Sequence, residues 1–202
     1  MDSGLKKASM EWTMRIQHYI WGVLLLLPLF FGCRKIADVF GVDEKLEKAY
    51  DEIIARHAAA NDLEPELLKA VIWKESRFRK EQIGLKGELG LMQLMRPAID
   101  DWARLHKCEV PSDSMIMEPE MNIEIGAWYL SWCGRRFQDQ CVGDNVLRLA
   151  IYNAGYGRVR DNWLPKDPKE PLKVENISFP STRDYIMQIT ERAELYKERH
   201  DF

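Results

Sequence analysis

The chain is poor in cysteine, with four in 202 residues. That is too few for a disulfide-built scaffold, so apolar burial has to supply the core. It also lacks an excess of either charge. A net charge of −3 and a pI near 5.9 give no electrostatic reason to expect a nucleic-acid partner. It is not generally hydrophobic, and a mean hydropathy of −0.37 excludes a polytopic membrane protein. No alternating apolar–polar pattern runs beyond a few residues, and no internal repeat is visible. The four His and four Cys show no metal-ligand spacing, so a zinc site is not expected. What is present is ordinary globular composition, 46% hydrophobic and 30% charged, at a length that suits one domain with an appendage.

The appendage is N-terminal. Residues 19–33, YIWGVLLLLPLFFGC, carry no charge, yet the run is shorter than the ~20 residues of a spanning helix. Lys6, Lys7 and Arg15 precede it, and Gly32 and Cys33 end it. A basic start, a short apolar stretch and a small residue at its end are the layout of an export signal. The ending also resembles a bacterial lipoprotein signal, in which Cys33 becomes the acylated first residue. Phe30 and Phe31 depart from that pattern, and Arg34 and Lys35 follow the cysteine at once. An uncleaved membrane anchor is the alternative. Residues 1–35 hold five Lys/Arg against two Asp/Glu, so the remainder carries −6. An acidic body behind a basic, apolar leader suits an exported enzyme better than a polyanion binder. Residues 1–37 are therefore read as signal or anchor with a short tether, and 38–202 as the folded domain.

Within that domain the pattern is helical. Ala49, Ile53, Ile54, His57 and Ala58 recur at three- and four-residue steps. Pro65 opens a second helix carrying Leu67, Leu68, Val71, Ile72 and Glu75. Residues 80–90 read as a glycine-bearing loop, with a helix from about 90 to 105 and a polar loop over 108–118. Pro119 opens a further helix through Leu130. A helix over 146–153 stops at Ala154-Gly155. Residues 161–181 hold four prolines and read as extended loop, and 182–199 as a last amphipathic helix. The expected fold is all-α, with at most a minor β-hairpin.

Glu75 is the most informative position. It lies four residues after Val71 and eight after Leu67, so it continues the apolar stripe and points where the core points. Desolvation favours the acid form of such a carboxyl, which is what a general acid near neutral pH requires. Glu75-Ser76 is followed by Gly87-Glu-Leu-Gly90-Leu91-Met92-Gln93, by Pro119 and Asn122-Ile-Glu-Ile-Gly126-Ala-Trp-Tyr129-Leu130, by Ala150-Ile-Tyr152-Asn153-Ala154-Gly155, and by Thr182-Arg183-Asp-Tyr185. This ordered series closely resembles the catalytic domain of soluble-type lytic transglycosylases, relatives of goose-type lysozyme.

The resemblance covers roughly residues 53–196 and implies a lysozyme-like fold. It assigns Glu75 as the single catalytic acid/base, with Ser76 beside it. Gly90, Leu91, Met92 and Gln93 would line the sugar site. Tyr152 and Asn153 would pack against the catalytic carboxyl, Tyr185 would face the site from the last helix, and Glu175 would match an acidic residue near it. Gln93 offers both a donor and an acceptor to sugar groups, and a Tyr hydroxyl can bond Glu75. Met92 and Met95 read equally well as core fillers, and Gly126 as a helix–helix packing position. The chain departs from the family at Tyr156 (often Pro), at Glu88 and Leu89 (usually small), and at Arg96, inserted before Pro97.

The implied activity is cleavage of the MurNAc–GlcNAc bond of peptidoglycan with formation of a 1,6-anhydromuramoyl end, with no metal or cofactor. The alternatives are a goose-lysozyme-like hydrolase and a non-catalytic glycan-binding component of an envelope apparatus. The expected partners are glycan strands, the membrane through the N-terminal segment, and cell-envelope machinery. The implied location is the periplasmic side of a bacterial membrane. There Cys133 and Cys141, which flank residues 134–140, could form a disulfide. Pairing of Cys108 with either, or three reduced thiols, are the other arrangements.

Overall fold

In the computed structural model the described residues are 44–136, 145–167 and 170–202. The apolar run with Cys33 lies outside them, as does Cys141. No helix among the described residues is long and apolar enough to cross a membrane. Among its described residues the unit Lys45–Phe202 is mainly helical. Its helices are α1 (Glu44–Lys48), α2 (Asp51–Ala60), α3 (Pro65–Ser76), α4 (Arg96–His106), α5 (Asp113–Ile116), α6 (Pro119–Arg135), α7 (Asn145–Ala154), α8 (Tyr156–Asn162) and α9 (Pro180–Glu198), with a 3₁₀ turn at Val174–Asn176. The expected minor hairpin is reduced to isolated antiparallel bridges, Ile83 with Leu89 and Leu89 with Leu94. Pro65, Pro97, Pro119 and Pro180 sit in the first turns of α3, α4, α6 and α9. There the missing N–H costs nothing and the fixed φ pre-sets the helix.

Helix α3 is the central element. It packs against α2 and α9, while α6 packs against α2, α4, α5 and α7. The stripe on α3 is broader than its spacing indicates. Residues Leu67 through Trp73 are all buried, Lys69 among them. A helix buried nearly all round belongs in the centre of a domain. Lys69 is fully buried and ion-paired with Asp51 at 2.8 Å and Asp201 at 3.0 Å. Its ammonium also lies 5.0 Å from the Tyr196 ring centre and 5.1 Å from that of Phe202. Beside it, Tyr196 donates its hydroxyl to Glu47 at 2.6 Å. These contacts tie the end of the chain to α1 and to the N-terminal half of α3.

Three elements differ from the sequence expectation. The helix expected from about residue 90 begins only at Arg96, because residues 89–94 form a tight turn. Leu89 and Leu94 exchange both backbone hydrogen bonds, at 3.1 and 3.0 Å. Gly90 and Gln93 adopt positive φ, +72° and +47°, which a helix cannot contain. The polar loop over 108–118 holds α5, capped by the Ser112 hydroxyl, which accepts from the Met115 N–H at 3.4 Å. The stretch read as extended after residue 161 begins inside α8. Val159 and Trp163 are buried there, so packing overrides the proline-rich composition that follows.

Candidate active site

Glu75 occupies the last full turn of α3. The chain then leaves the helix through two consecutive left-handed residues, Arg77 (φ 54°) and Phe78 (φ 61°). Neither is glycine, so this exit carries strain that surrounding contacts must hold. Phe78 is fully buried, and the Arg77 guanidinium lies 3.5 Å from the Trp73 ring centre. The sharp exit leaves Glu75 half-buried with the following loop beside it.

The Tyr185 hydroxyl, presented by α9, donates to Glu75 Oε1 at 2.6 Å. Burial pushes the Glu75 carboxyl up from 4.5 to about 7. The Tyr185 hydrogen bond and the Lys74 charge oppose that push, and the nearby Glu88 charge adds to it. Burial, and next the Glu75 charge, hold Tyr152 and Tyr185 well above the ordinary phenol value. Both are therefore hydrogen-bond donors at neutral pH. The tyrosine that bonds Glu75 is Tyr185. Tyr152 donates instead to the Met92 carbonyl at 2.8 Å. Asn153 accepts from the buried Thr182 hydroxyl at 2.9 Å, which joins α7 to α9.

The Gly90–Gln93 turn forms the opposite side. Its anchor is Asn122 of α6, fully buried. Asn122 Oδ1 accepts the Met92 N–H at 2.8 Å, and its Nδ2 donates to the Leu89 and Ile116 carbonyls at 3.0 and 2.9 Å. A Cβ on Gly90 would overlap the Asn122 amide. Gly90 is thus required both for its positive φ and for this close approach. Gly126 is a packing position as expected, but against the Met92 side chain of the turn rather than another helix.

The expected ligand residues fall into two sets. Glu75, Tyr185, Tyr152 and the turn at Gln93 come together. Ser76, Leu91 and Met92 have buried side chains, and the Ser76 hydroxyl is spent on the Ile72 carbonyl at 3.2 Å. What these three bring to the site is backbone position. Gln93 spends its amide N–H groups on the Gln82 and Gly90 carbonyls, at 3.0 and 2.8 Å. It clasps the loop and keeps only its oxygen for a ligand. Met92 is core and Met95 is 42% exposed. Glu175 is exposed on the 3₁₀ turn. Cys133 is buried, and burial pushes its thiol well up; Cys108 is exposed.

Asn122 and Thr182 stand in the motif series, but the resemblance assigns them no role. Asn122 had a legible signal, a short amide four residues before a packing glycine on an otherwise apolar face. Thr182 had none, because its partner lies on another helix. Among the described residues no group of His, Cys, Asp and Glu could hold a metal ion.

These features describe a helical, lysozyme-like domain in which a tyrosine hydroxyl meets a desolvated carboxylic acid. The chain belongs to the Transglycosylase SLT domain family, whose model matches residues 52–173. It is 28% identical over 161 residues to a soluble lytic murein transglycosylase of Salmonella typhimurium, an alignment covering 77% of this chain and 24% of the relative. It is 27% identical over 200 residues to membrane-bound lytic murein transglycosylase C of Pectobacterium atrosepticum, covering 89% of this chain and 52% of that protein. The X-ray structure of an inactive mutant of lytic transglycosylase Slt from Pseudomonas aeruginosa superposes with a TM-score of 0.66 at 30% identity. That match covers 76% of this chain and 24% of the other. The chain thus spans about a quarter of the length of the soluble relatives it matches.

Proposed function

We propose that this protein is a peptidoglycan lytic transglycosylase that works with Glu75 as its only acid/base. The observation that carries the reading is a half-buried carboxyl with a pKa near 7 that accepts a hydrogen bond from a neutral tyrosine hydroxyl. A carboxyl poised there can give a proton and take one back near neutral pH. Tyr185 occupies Oε1, which leaves Oε2 to carry the proton.

Glu75 protonates the glycosidic oxygen between N-acetylmuramic acid and N-acetylglucosamine, and the C1–O bond breaks. The substrate's own acetamide stabilises the cationic centre, in place of the second carboxylate used by most glycosidases. The Glu75 carboxylate then accepts the proton of the muramoyl C6 hydroxyl as its oxygen bonds C1. The product carries a 1,6-anhydro ring and no water is added. The apolar leader supports export to the peptidoglycan-facing side of the membrane, with anchoring through Cys33 or an uncleaved segment.

Mass spectrometry of digested sacculi tests this. Anhydro-muropeptides, one water lighter than hydrolysed ones, are expected from the parent and absent with Glu75→Gln. Reducing muropeptides alone would identify a hydrolase. Equal release by Glu75→Gln would remove Glu75 from the chemistry.

A further inference from the structure

Glu88 has been given no part in the chemistry, yet its charge reaches Glu75. It stands where the family usually has a small residue, on the loop that leads from α3 into the Gly90–Gln93 turn. The loop fixes its place. Glu88 Oε2 accepts the Lys86 N–H at 2.8 Å, and the Glu88 carbonyl accepts the Gly84 N–H at 2.8 Å. The side chain is half-buried. Among the described residues no cation pairs with it, and its Oε1 has no partner. Glu47 and Asp201, by contrast, each meet Arg199. A partly desolvated carboxylate without such a partner is costly to the fold.

A second acceptor lies beside it. Gly84 lets two oxygens converge, since a Cβ there would overlap both Glu88 Oε2 and Gln93 Oε1. Gln93 has spent both amide N–H groups on the Gln82 and Gly90 carbonyls, so it meets Glu88 with its oxygen alone. Among the described residues the pair receives no donor beyond the Lys86 N–H. Two acceptors placed together call for a donor from outside. The reaction supplies one. As the acetamide oxygen of the substrate closes on C1, its nitrogen takes on positive charge and its N–H becomes a stronger donor. A carboxylate that accepts this N–H binds the transition state more tightly than the ground state.

We infer that Glu88 is a second catalytic carboxylate, which together with Gln93 Oε1 accepts the acetamide N–H of the reacting N-acetylmuramic acid and offsets the positive charge that forms there. This rests on the transglycosylase reading. The proton stays on nitrogen throughout, so Glu75 remains the only acid/base.

Glu88→Gln in the full chain tests the role. Gln keeps the length and an oxygen for the Lys86 N–H but loses the charge. Release of anhydro-muropeptides from sacculi should fall about 10²-fold in kcat, with KM little changed. Lys74, Tyr185 and Glu88 act on the Glu75 carboxyl. Without the Glu88 charge Glu75 ionises more readily, so the alkaline fall of the pH–rate profile should move to lower pH, which a loss of packing would not produce. Binding is read apart from turnover with the thiazoline of N-acetylmuramic acid, whose ring copies the closed acetamide. Calorimetry should show it bound about tenfold more weakly by Glu88→Gln than by the parent. If Glu88→Gln does not fold, Glu88→Asp, which keeps the charge on a shorter arm, carries the same comparisons and should keep the parent's pH limb. Parent-like kcat, equal thiazoline affinity, or a limb moved to higher pH in Glu88→Gln would overturn the inference. Anhydro-muropeptide release unchanged by Glu88→Gln sinks this inference alone. Thiazoline binding that depends on Glu88, in a parent that releases no anhydro-muropeptides, sinks only the transglycosylase reading.

Discussion

Lys69 and Glu75, both on α3, are treated in opposite ways. Lys69, near its start, is fully buried and has two carboxylates and two aromatic rings around its ammonium. Glu75, six residues further on, is half-buried, and the contact that meets its carboxyl is a neutral hydroxyl. A buried charge with matched partners is quiet and structural, because removing any partner leaves another charge stranded. A desolvated acid without a basic partner is costly to ionise and therefore reactive. One helix thus carries the anchor of the fold and the acid proposed to carry its chemistry, and the difference lies in what the neighbouring elements bring.

Removing the reactive group should have the largest effect. Glu75→Gln is expected to lower muropeptide release by about 10²–10⁴-fold, the range for loss of a general acid. It should not weaken the fold. Folding raises the pKa of Glu75 above its ordinary 4.5 to about 7. The native state therefore binds the proton more tightly than the unfolded chain, and stability falls as pH rises through that window. Urea denaturation should show Glu75→Gln equal to the parent near pH 4 and more stable at pH 8, by up to about 3 kcal/mol. A variant less stable than the parent at pH 8 would contradict an uncompensated acid.

Removing the structural charge should do the reverse. Lys69→Met strands Asp51 and leaves Asp201 with Arg199 alone at 3.3 Å, and is expected to cost about 3–5 kcal/mol in urea denaturation. Folded protein at low temperature should keep most of its specific activity. A neutral or stabilising result would mean that the ionic cluster is replaceable by apolar packing.

Asn122→Ala lies between the two cases. It removes three hydrogen bonds and leaves the Met92 N–H and two carbonyls buried without their partner. The expected cost is about 2–4 kcal/mol. Release should fall together with stability, because the Gly90–Gln93 turn loses its anchor.

Tyr185→Phe should have the smallest effect. The tyrosine hydrogen bond favours the ionised form of Glu75, so its loss raises the carboxyl further. The alkaline fall of the pH–rate profile should move to higher pH, with a rate change at the optimum of about tenfold or less. A shift to lower pH would reverse the assigned role.

The acid was legible because it continues a stripe. Glu75 follows Leu67 and Val71 at helical spacing, and that alone aims it inward. The helices opened by Pro65 and Pro119 were legible from local stereochemistry, since proline at a first turn acts through its own φ, whereas Pro180 was counted with the loop before it although it opens the last helix. The turn at residues 89–94 was not, because Leu-Met-Gln-Leu-Met reads as helix until Asn122, some thirty residues on, holds it in another shape. Glu88 entered only as a departure from a pattern, and its charge near Glu75 becomes visible once the loop folds back.

The helical class, the family motifs and the inward aim of one glutamate follow from the local pattern of the chain. These depend on spacing within single segments, where backbone geometry fixes which residues share a face. Which tyrosine bonds the acid, which amide holds the turn, and that Lys69 is neutralised where Glu75 is not came from packing between distant segments. Those contacts join residues 30 to 132 positions apart, and no local rule brings such partners together until the core packs.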